Sequence, residues 1–385
     1  MRTFDDIEIR RPDLAASYLA LLKAQPGRPI ALFAPRRVGK TYFLDGDLTP
    51  AAVDAGFLPV YADLWLNRAL PLDAINQALE EALDEVNVPK TKLGKLGKTA
   101  VKKVGALGAS IELGEVPARR ELPEKPELRM DSLISRLAAD AGKPILLMLD
   151  EIQSLGQAGG GEAAIATVRA VLQKHKKVLF AVFTGSSQEA LGEMMMSAGG
   201  AMYQFAQLLT FPSLGTEYIE LLAKHYMQVH PTKVLEVNAL KKVFSHIGYK
   251  PALMKDLVKS MSAEGITNVD LALNHFVNDE RNYLGWESVF NGLQPLEQAV
   301  LIIVAHGIAP MAKDTISALS KISNVKATVA KVRSALDRMR KAGILFNPPK
   351  VGYTIEDRLF KDYIAKTYVP NYVSEALLKS RETLN

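Results

Sequence analysis

The sequence contains no cysteine, and none of its apolar runs is long enough to cross a bilayer. Without cysteine, the chain can form neither disulfides nor thiolate metal sites, and it has no cysteine nucleophile. A helix that spans a membrane needs about 20 consecutive apolar residues, so we expect no transmembrane segment. The first residues, MRTFDDIE, lack the basic and then apolar pattern of a secretory signal. We therefore expect a cytoplasmic protein with no membrane partner.

Acidic residues are scarce in the last part of the chain. From Asn291 onward, 14 lysines and arginines stand against 8 acidic residues, whereas the net charge of the whole chain is +5. The rest of the chain is therefore close to neutral. Two interpretations fit this distribution: a module that faces a polyanion, or a solvated surface with a modest excess of positive charge. At 385 residues, the chain is long enough for two or three domains.

The most informative stretch is RPIALFAPRRVGKTYFL at residues 28–44. Its short apolar run predicts a buried strand at 30–33, a loop at 34–40 and a helix that begins near residue 41. The loop matches the phosphate-loop pattern G-x-x-x-x-G-K-[ST] at every fixed position except the first, where alanine replaces glycine. The alternative is a chance match in an ordinary strand–loop–helix. We assign nucleotide binding to Ala34, Pro35, Arg36, Arg37, Val38, Gly39, Lys40, Thr41 and Tyr42.

Each residue type in this loop has a physical role toward a triphosphate. Backbone N–H groups and the helix dipole attract phosphate oxygens, and Gly39 allows the backbone to approach them closely. Lys40 is expected to neutralise the β- and γ-phosphates, and the Thr41 hydroxyl to bind Mg²⁺. Alanine at position 34 tolerates unusual backbone angles less well than glycine, so we expect a slightly shifted loop. ATP and Mg²⁺ are the predicted ligands.

A second apolar strand, at 144–149, ends in Asp150 and Glu151. Two acids after a buried strand, about 110 residues beyond a phosphate loop, predict the metal side of the same site. We expect Asp150 to hold Mg²⁺ through water and Glu151 to act as the general base that polarises the attacking water. The alternative is a strand that ends in solvated acids.

A third strand, at 178–183, leads into Thr184, Gly185, Ser186 and Ser187. Thr184 and Ser186 are candidates that sense the γ-phosphate or orient the water. A helix N-cap at Ser186 or Ser187 is the other interpretation, and both can hold together. Strands and helices alternate up to about residue 214, which predicts a parallel sheet covered by helices on both faces.

Three further regions extend this α/β core. Residues 89–128 are rich in lysine, glycine and proline, and we predict that they form an insertion. This insertion either contacts nucleic acid or a neighbouring subunit, or it is only a solvated loop. Helices are predicted at 216–229, 236–247, 252–262 and 268–283, as a small helical lid. Within the lid, a Gly-x-x-Pro turn that ends at Pro251 is either an adenine contact or only a turn.

The last third is predicted to hold three helices, at 293–306, 313–322 and 326–342, followed by a β-hairpin at 344–355. This order is typical of the winged form of helix-turn-helix. Duplex DNA and a partner protein are the alternative ligands for such a module. The candidate DNA contacts are Lys326, Thr328, Lys331 and Arg333 on the third helix and Lys350 on the wing.

Taken together, these stretches resemble the archaeal-type ATPases, a group related to the STAND and AAA+ ATPases. The loop APRRVGKT at 34–41 is similar to the GPRRVGKT loop of that group. DEIQ at 150–153, FTGSS at 183–187 and GYTIEDRLF at 352–360 resemble its metal motif, its sensor strand and the segment after its wing. The resemblance implies a P-loop ATPase core, a lid and a winged helix, with Lys40, Thr41, Asp150 and Glu151 in the roles given above. Two features depart from it: alanine replaces the usual first glycine, and no arginine beyond the candidate Arg169 stands out as a catalytic finger.

We therefore expect an ATPase core at 1–214, a helical lid at 215–285 and a winged helix at 286–385. The first functional hypothesis is a slow ATPase switch that couples nucleotide state to the winged helix, in a homo-oligomer if a neighbour supplies an arginine in trans. The second is a nucleotide-gated protein that binds DNA or recruits a partner with little turnover. The third is a scaffold in which the nucleotide is only structural.

Overall fold

The structure of the protein is a computed structural model. The structure describes residues 3–35, 37–87, 121–157, 161–185, 188–196, 200–347 and 352–369. Arg36, Ser186, Lys350 and most of the lysine-rich segment lie outside these ranges, so the predictions made for them stay predictions.

The chain forms two compact units. The core unit consists of Arg10–Ala34 and Lys40–Phe211, and the C-terminal unit consists of Met1–Ile9, Pro35–Gly39 and Pro212–Asn385. The predicted end of the ATPase core, at residue 214, is near the Phe211–Pro212 division. The predicted lid and the predicted winged helix share one unit, and their separation into two domains remains a prediction.

The core unit contains a five-stranded sheet, in the order β2-β3-β4-β1-β5. All neighbouring strands are parallel. The strands are β1 (Ile30–Phe33), β2 (Leu58–Asp63), β3 (Ile145–Asp150), β4 (Leu179–Gly185) and β5 (Gln207–Thr210). Because β3 is buried along its whole length, the sheet is covered on both faces, as its continuous apolar run predicts. The predicted parallel α/β fold is confirmed.

The helices of the core unit begin and end at local signals. Proline stands in the first turn of α1 and α5, and Gly142, in the left-handed conformation, ends α5. A π-helical stretch, Leu44–Leu48, continues the helix that follows the loop. The helices are α1 (Pro12–Ala24), α2 (Lys40–Phe43), α3 (Thr49–Asp54), α4 (Pro71–Asn87), α5 (Pro126–Ala141), α6 (Ser154–Gln157), α7 (Gly161–Lys174) and α8 (Gln188–Met196).

The first half of the C-terminal unit is helical and has its own apolar core, to which Tyr226, Phe244 and Met254 contribute. After a 3₁₀-helix at Phe4–Asp6, its helices are α9 (Thr216–Val229), α10 (Val237–His246), α11 (Pro251–Glu264), α12 (Val269–Asn278) and α13 (Glu280–Asn291). The single helix predicted at 268–283 is wrong. Extended backbone at Asp279 ends α12, and α13 begins at the next residue.

The second half has the order of elements predicted for a winged helix. Three helices, α14 (Pro295–Ala305), α15 (Lys313–Ser323) and α16 (Val329–Lys341), precede an antiparallel pair, β6 (Leu345–Phe346) and β7 (Thr354–Ile355). A last helix, α17 (Arg358–Thr367), follows. The third helix was predicted to begin at 326, but it begins after Thr328, whose side chain accepts a bond from the Lys331 N–H as the N-cap. Within the ranges that the structure describes, no helix is both long and apolar enough to cross a bilayer.

Candidate functional site

The strand order brings three predicted segments to one edge of the sheet. β4 lies between β1 and β3, so the loop after β1 and the acids after β3 flank the end of β4. The register pairs Leu32 with Thr184 and Leu149 with Phe183. The carboxyl ends of parallel strands share an edge, which is where ligands bind in open α/β sheets.

The described residues of the loop include two left-handed positions, Arg37 (φ 65°) and Gly39 (φ 91°). Ala34 is 2% exposed, and it is not among the described residues with positive φ. The shift expected from alanine at this position therefore has no basis in the backbone angle. The Lys40 Nζ donates to the Ala34 carbonyl oxygen over 2.9 Å. Because Lys40 is only 6% exposed, its ammonium is a buried cation beside Ala34.

Asp150 is the centre of a buried hydrogen-bond network at the end of β3. Its Oδ2 accepts from the Thr41 hydroxyl over 2.6 Å and from the Tyr61 hydroxyl over 3.2 Å. Its Oδ1 accepts from the Thr184 hydroxyl and from the Glu151 N–H, the latter over 3.1 Å. Asp150 is only 4% exposed. Its hydrogen-bond donors come from β2 and β4 and from the segments that follow β1 and β3.

Tyr61 is a site residue that was not predicted from the sequence. Its position follows from the pairing of β2 with β3, in which Asp63 lies beside Asp150. Burial raises the pKa of the Tyr61 hydroxyl, and the Asp150 and Asp63 carboxylates raise it further. Tyr61 is therefore a neutral hydrogen-bond donor at physiological pH.

Glu151 is held in an unusual backbone conformation, with φ 58°. The N–H of the next residue, Ile152, donates to the Thr184 carbonyl over 3.0 Å, which fixes the turn to the end of β4. The Gln153 Nε2 donates to Glu151 Oε2. Gln153, like Tyr61, was not predicted to be a site residue, although it belongs to the DEIQ motif.

The residues at this edge fit a magnesium ion that shares a nucleotide phosphate. Mg²⁺ prefers oxygen ligands and commonly takes one or two protein side chains, with phosphates and waters completing its shell. The Thr41 hydroxyl and the Asp150 carboxylate supply such a pair, 2.6 Å apart. A metal site built only from protein would need more ligands, and the described residues contain no cluster of three or more His, Cys, Asp or Glu side chains for one.

Comparison with known proteins supports the same fold. No family model matches the chain, and no curated protein sequence matches it significantly. Among solved structures, the Walker-type ATPase PABY2304 of Pyrococcus abyssi has a TM-score of 0.59 and 14% identity, over 94% of this chain and 99% of that one. The chain has the fold of the Walker-type ATPases.

A second solved protein, the Aeropyrum pernix ORC2 protein, is also similar to this chain in fold. Its ADP form has a TM-score of 0.50 and 15% identity, over 92% of each chain. A second structure, of its ADPNP-ADP complexes, has a TM-score of 0.51 and 14% identity, over 96% of this chain and 93% of that one. At identities this low, the structural similarity establishes the fold alone.

Two further predicted residues contact other groups of the core unit, and a third belongs to the C-terminal unit. The Tyr42 ring is 42% exposed and lies 5.3 Å from the Arg10 guanidinium. Arg169, the candidate catalytic arginine, donates to the Ala201 carbonyl and lies 5.2 Å from the Phe205 ring. Pro251 begins α11 in the C-terminal unit, and its predicted role at the adenine stays a prediction.

The candidate DNA contacts lie at the start of α16. Lys326, Lys331 and Arg333 are exposed, and Thr328 is exposed as well but is also the N-cap of the helix. The Lys331 ammonium lies 3.3 Å from the Lys326 carbonyl oxygen. The structure thus places the four described candidates on one accessible helix start, and their contact with DNA stays a prediction.

Proposed function

We propose that the chain binds ATP with Mg²⁺, hydrolyses it slowly and uses the nucleotide cycle to switch the state of its C-terminal unit. On its loop motif we place it with the archaeal-type ATPases. One observation carries the proposal: the Asp150 carboxylate, 4% exposed, lies 2.6 Å from the hydroxyl of the residue after the loop lysine. Burying a carboxylate is costly unless a specific network or a cation compensates, so this edge is suited to a metal-bound phosphate.

Each residue has a chemical task in this proposal. The loop N–H groups and Lys40 bind the β- and γ-phosphates, and Thr41 and Asp150 hold Mg²⁺, which supplies Lewis-acid stabilisation of phosphate charge. Glu151 accepts the proton of the attacking water. Thr184, fully buried beside Asp150, senses the γ-phosphate. The A. pernix ORC2 protein, which has this fold, is described in an ADP form and in ADPNP-ADP complexes, which supports a nucleotide as the ligand.

Contacts within the C-terminal unit support the coupling to the winged-helix elements. Asp357, at the start of α17, accepts from Lys250 over 3.1 Å, and Asp362 lies 2.7 Å from the His246 ring nitrogen. The Arg358 guanidinium donates to the Ser245 carbonyl over 2.8 Å. Because α17 directly follows β7, these contacts tie the turn between α10 and α11 to the hairpin. A shift of the predicted lid with nucleotide state would then reach the hairpin.

The test of this function is ATP turnover by two variants. Glu151→Gln should lower turnover by about 100- to 10,000-fold, because a general base contributes a factor of that size, and it should still bind ATP. Lys40→Ala should weaken nucleotide binding itself. Glu162→Gln, an exposed glutamate at the start of α7, is the matched control. If Glu151→Gln hydrolyses ATP as the parent protein does, the assignment of the base is wrong.

A second candidate function is a nucleotide-gated DNA-binding protein with little turnover. The exposed Lys326, Lys331 and Arg333 at the start of one helix favour it, since a recognition helix presents such side chains to phosphates and base edges. Duplex DNA binding should then weaken steeply as salt rises, because phosphate contacts release counterions. Affinity that does not change with salt, or no binding in the presence of ATP, would exclude this function.

A further inference from the structure

We propose that Gln153 is a positioning residue that holds the Glu151 carboxylate in place for hydrolysis, and that Gly185 is required to give its amide room. This inference rests on the proposed function, since it concerns the base of that reaction. It assigns tasks to two residues outside the magnesium pair and the phosphate loop.

The backbone of Glu151 is fixed before its side chain is considered. Its φ of 58° lies in the left-handed region, which a residue with a Cβ rarely adopts. Its N–H donates to Asp150 Oδ1 over 3.1 Å, and its carbonyl accepts from the Ser154 N–H over 2.9 Å. A strained conformation held by neighbouring bonds is typical of functional sites. The side chain still rotates about its own bonds, so it needs a partner to define its direction.

Gln153 is that partner. Its Nε2 donates to Glu151 Oε2, and the side chain is 4% exposed. Its Oε1 is buried and has no hydrogen-bond partner among the described residues. A buried oxygen without a partner costs stability, which an apolar side chain of similar volume would avoid. Packing alone therefore does not explain a glutamine here, whereas its bond to the proposed base does.

Gly185 shows where the amide lies. A Cβ on Gly185 would lie 2.5 Å from Gln153 Oε1, a distance at which one of the two must move. The φ of Gly185 is not among the positive values, so glycine is needed for space and not for a backbone angle. Gly185 is paired with Phe33, the residue immediately before the phosphate loop. The Gln153 amide thus lies across the end of β4, between the proposed base and the start of the loop.

The experiment measures ATP turnover, ADP affinity and thermal unfolding for Gln153→Met and Gln153→Leu. We expect kcat to fall by about 10- to 100-fold, the loss typical of a residue that orients a functional group, while KM and ADP affinity stay within about twofold. Gln153→Met should unfold at the same or a higher temperature than the parent, because the buried oxygen without a partner is gone. Lower kcat together with unchanged or higher stability distinguishes positioning from packing.

Two further variants test the route through Glu151. Adding Gln153→Leu to Glu151→Gln should lower kcat no further, because the two residues act as one unit. Gly185→Ala should lower kcat as Gln153→Leu does, since its methyl group displaces the amide. Gly192→Ala is the matched control, because a Cβ on Gly192 meets no atom within 4 Å.

The outcomes separate this inference from the proposed function. If the parent protein neither binds nor hydrolyses ATP, the proposed function fails, and this inference fails with it. If the parent hydrolyses ATP but Gln153→Leu and Gln153→Met keep kcat within twofold, only this inference is overturned. It is also overturned if both variants lose ADP affinity or stability in step with kcat, or if the double variant falls well below Glu151→Gln.

Discussion

The Asp150 network and the start of α16 are both rich in polar side chains, but they differ in burial. At the sheet edge, Lys40, Asp150 and Thr184 are between 0% and 6% exposed, and they contact one another or the loop. At α16, Lys331 and Arg333 are exposed to solvent. Buried polar groups cost free energy unless a network or a ligand compensates, whereas exposed charges need no ligand to be stable. Stability alone therefore explains the exposed charges at the start of α16, but it does not explain the buried polar groups around Asp150.

Replacing the buried carboxylate should have the largest effect. Asp150→Asn keeps the shape of the side chain but removes the charge, so we expect turnover to fall about 100- to 1000-fold, in line with several kcal/mol of metal-derived stabilisation. The measurement is ATP turnover across a series of Mg²⁺ concentrations.

Asp63→Asn is the control for that experiment, because Asp63 is paired with Asp150 in the register but is exposed. It should change turnover little. Equal losses in the two variants would mean that burial at this edge does not mark the metal site.

An intermediate effect is expected where α17 begins, because its contact is partly buried. Lys250 is 7% exposed, and Asp357 both pairs with it and accepts from the Leu359 and Phe360 N–H groups as the helix N-cap. Asp357→Ala should destabilise the protein by about 2–3 kcal/mol. The helix α17 loses its N-cap, and the Lys250 ammonium loses its carboxylate partner. Urea unfolding measures this change.

Asp314→Ala, at an exposed acidic residue in the first turn of α15, is the matched comparison. It should cost at most about 0.5 kcal/mol, as is usual for an exposed site. A loss at Asp357 no larger than this one would show that the contact between α17 and the α10–α11 turn does not hold the hairpin.

The smallest effect belongs to the exposed helix start. Lys331→Ala combined with Arg333→Ala should leave stability within about 0.5 kcal/mol of the parent value. If the second candidate function is correct, the slope of log affinity for duplex DNA against log salt should fall by about 1 for each phosphate that the variant no longer binds. Lys366→Ala, another exposed lysine in the same unit, should leave the slope unchanged. Equal slopes in all three proteins would remove α16 as the DNA contact.

The sequence predicted well those features that depend on neighbouring residues. The loop, the acidic strand end and the alternation of strands and helices are local patterns, and the structure shows a parallel sheet with β4 between the two key strands. Helix ends were less predictable. The break at Asp279 leaves α12 and α13 as separate helices where one was predicted.

Tyr61 could not be predicted as a site residue, because it reaches Asp150 only through the pairing of β2 with β3. Gln153 bonds to Glu151, two residues before it, and only its place beside Gly185 depends on the neighbouring strand. The expected effect of alanine at position 34 stays a prediction. Ala34 itself has no positive φ, and the left-handed positions among the described residues of the loop are Arg37 and Gly39.

The most direct test of the nucleotide site is calorimetric titration of Mg²⁺-ADP into the parent protein and into Lys40→Ala. We expect the parent to bind and the variant to bind about 10- to 100-fold more weakly, because a charge-assisted hydrogen bond contributes about 1.5–3 kcal/mol. Lys143→Ala, an exposed lysine before β3 at the opposite edge of the sheet, should bind as the parent does. No binding by the parent, or equal affinity in Lys40→Ala, would contradict a nucleotide site at Lys40, Thr41 and Asp150.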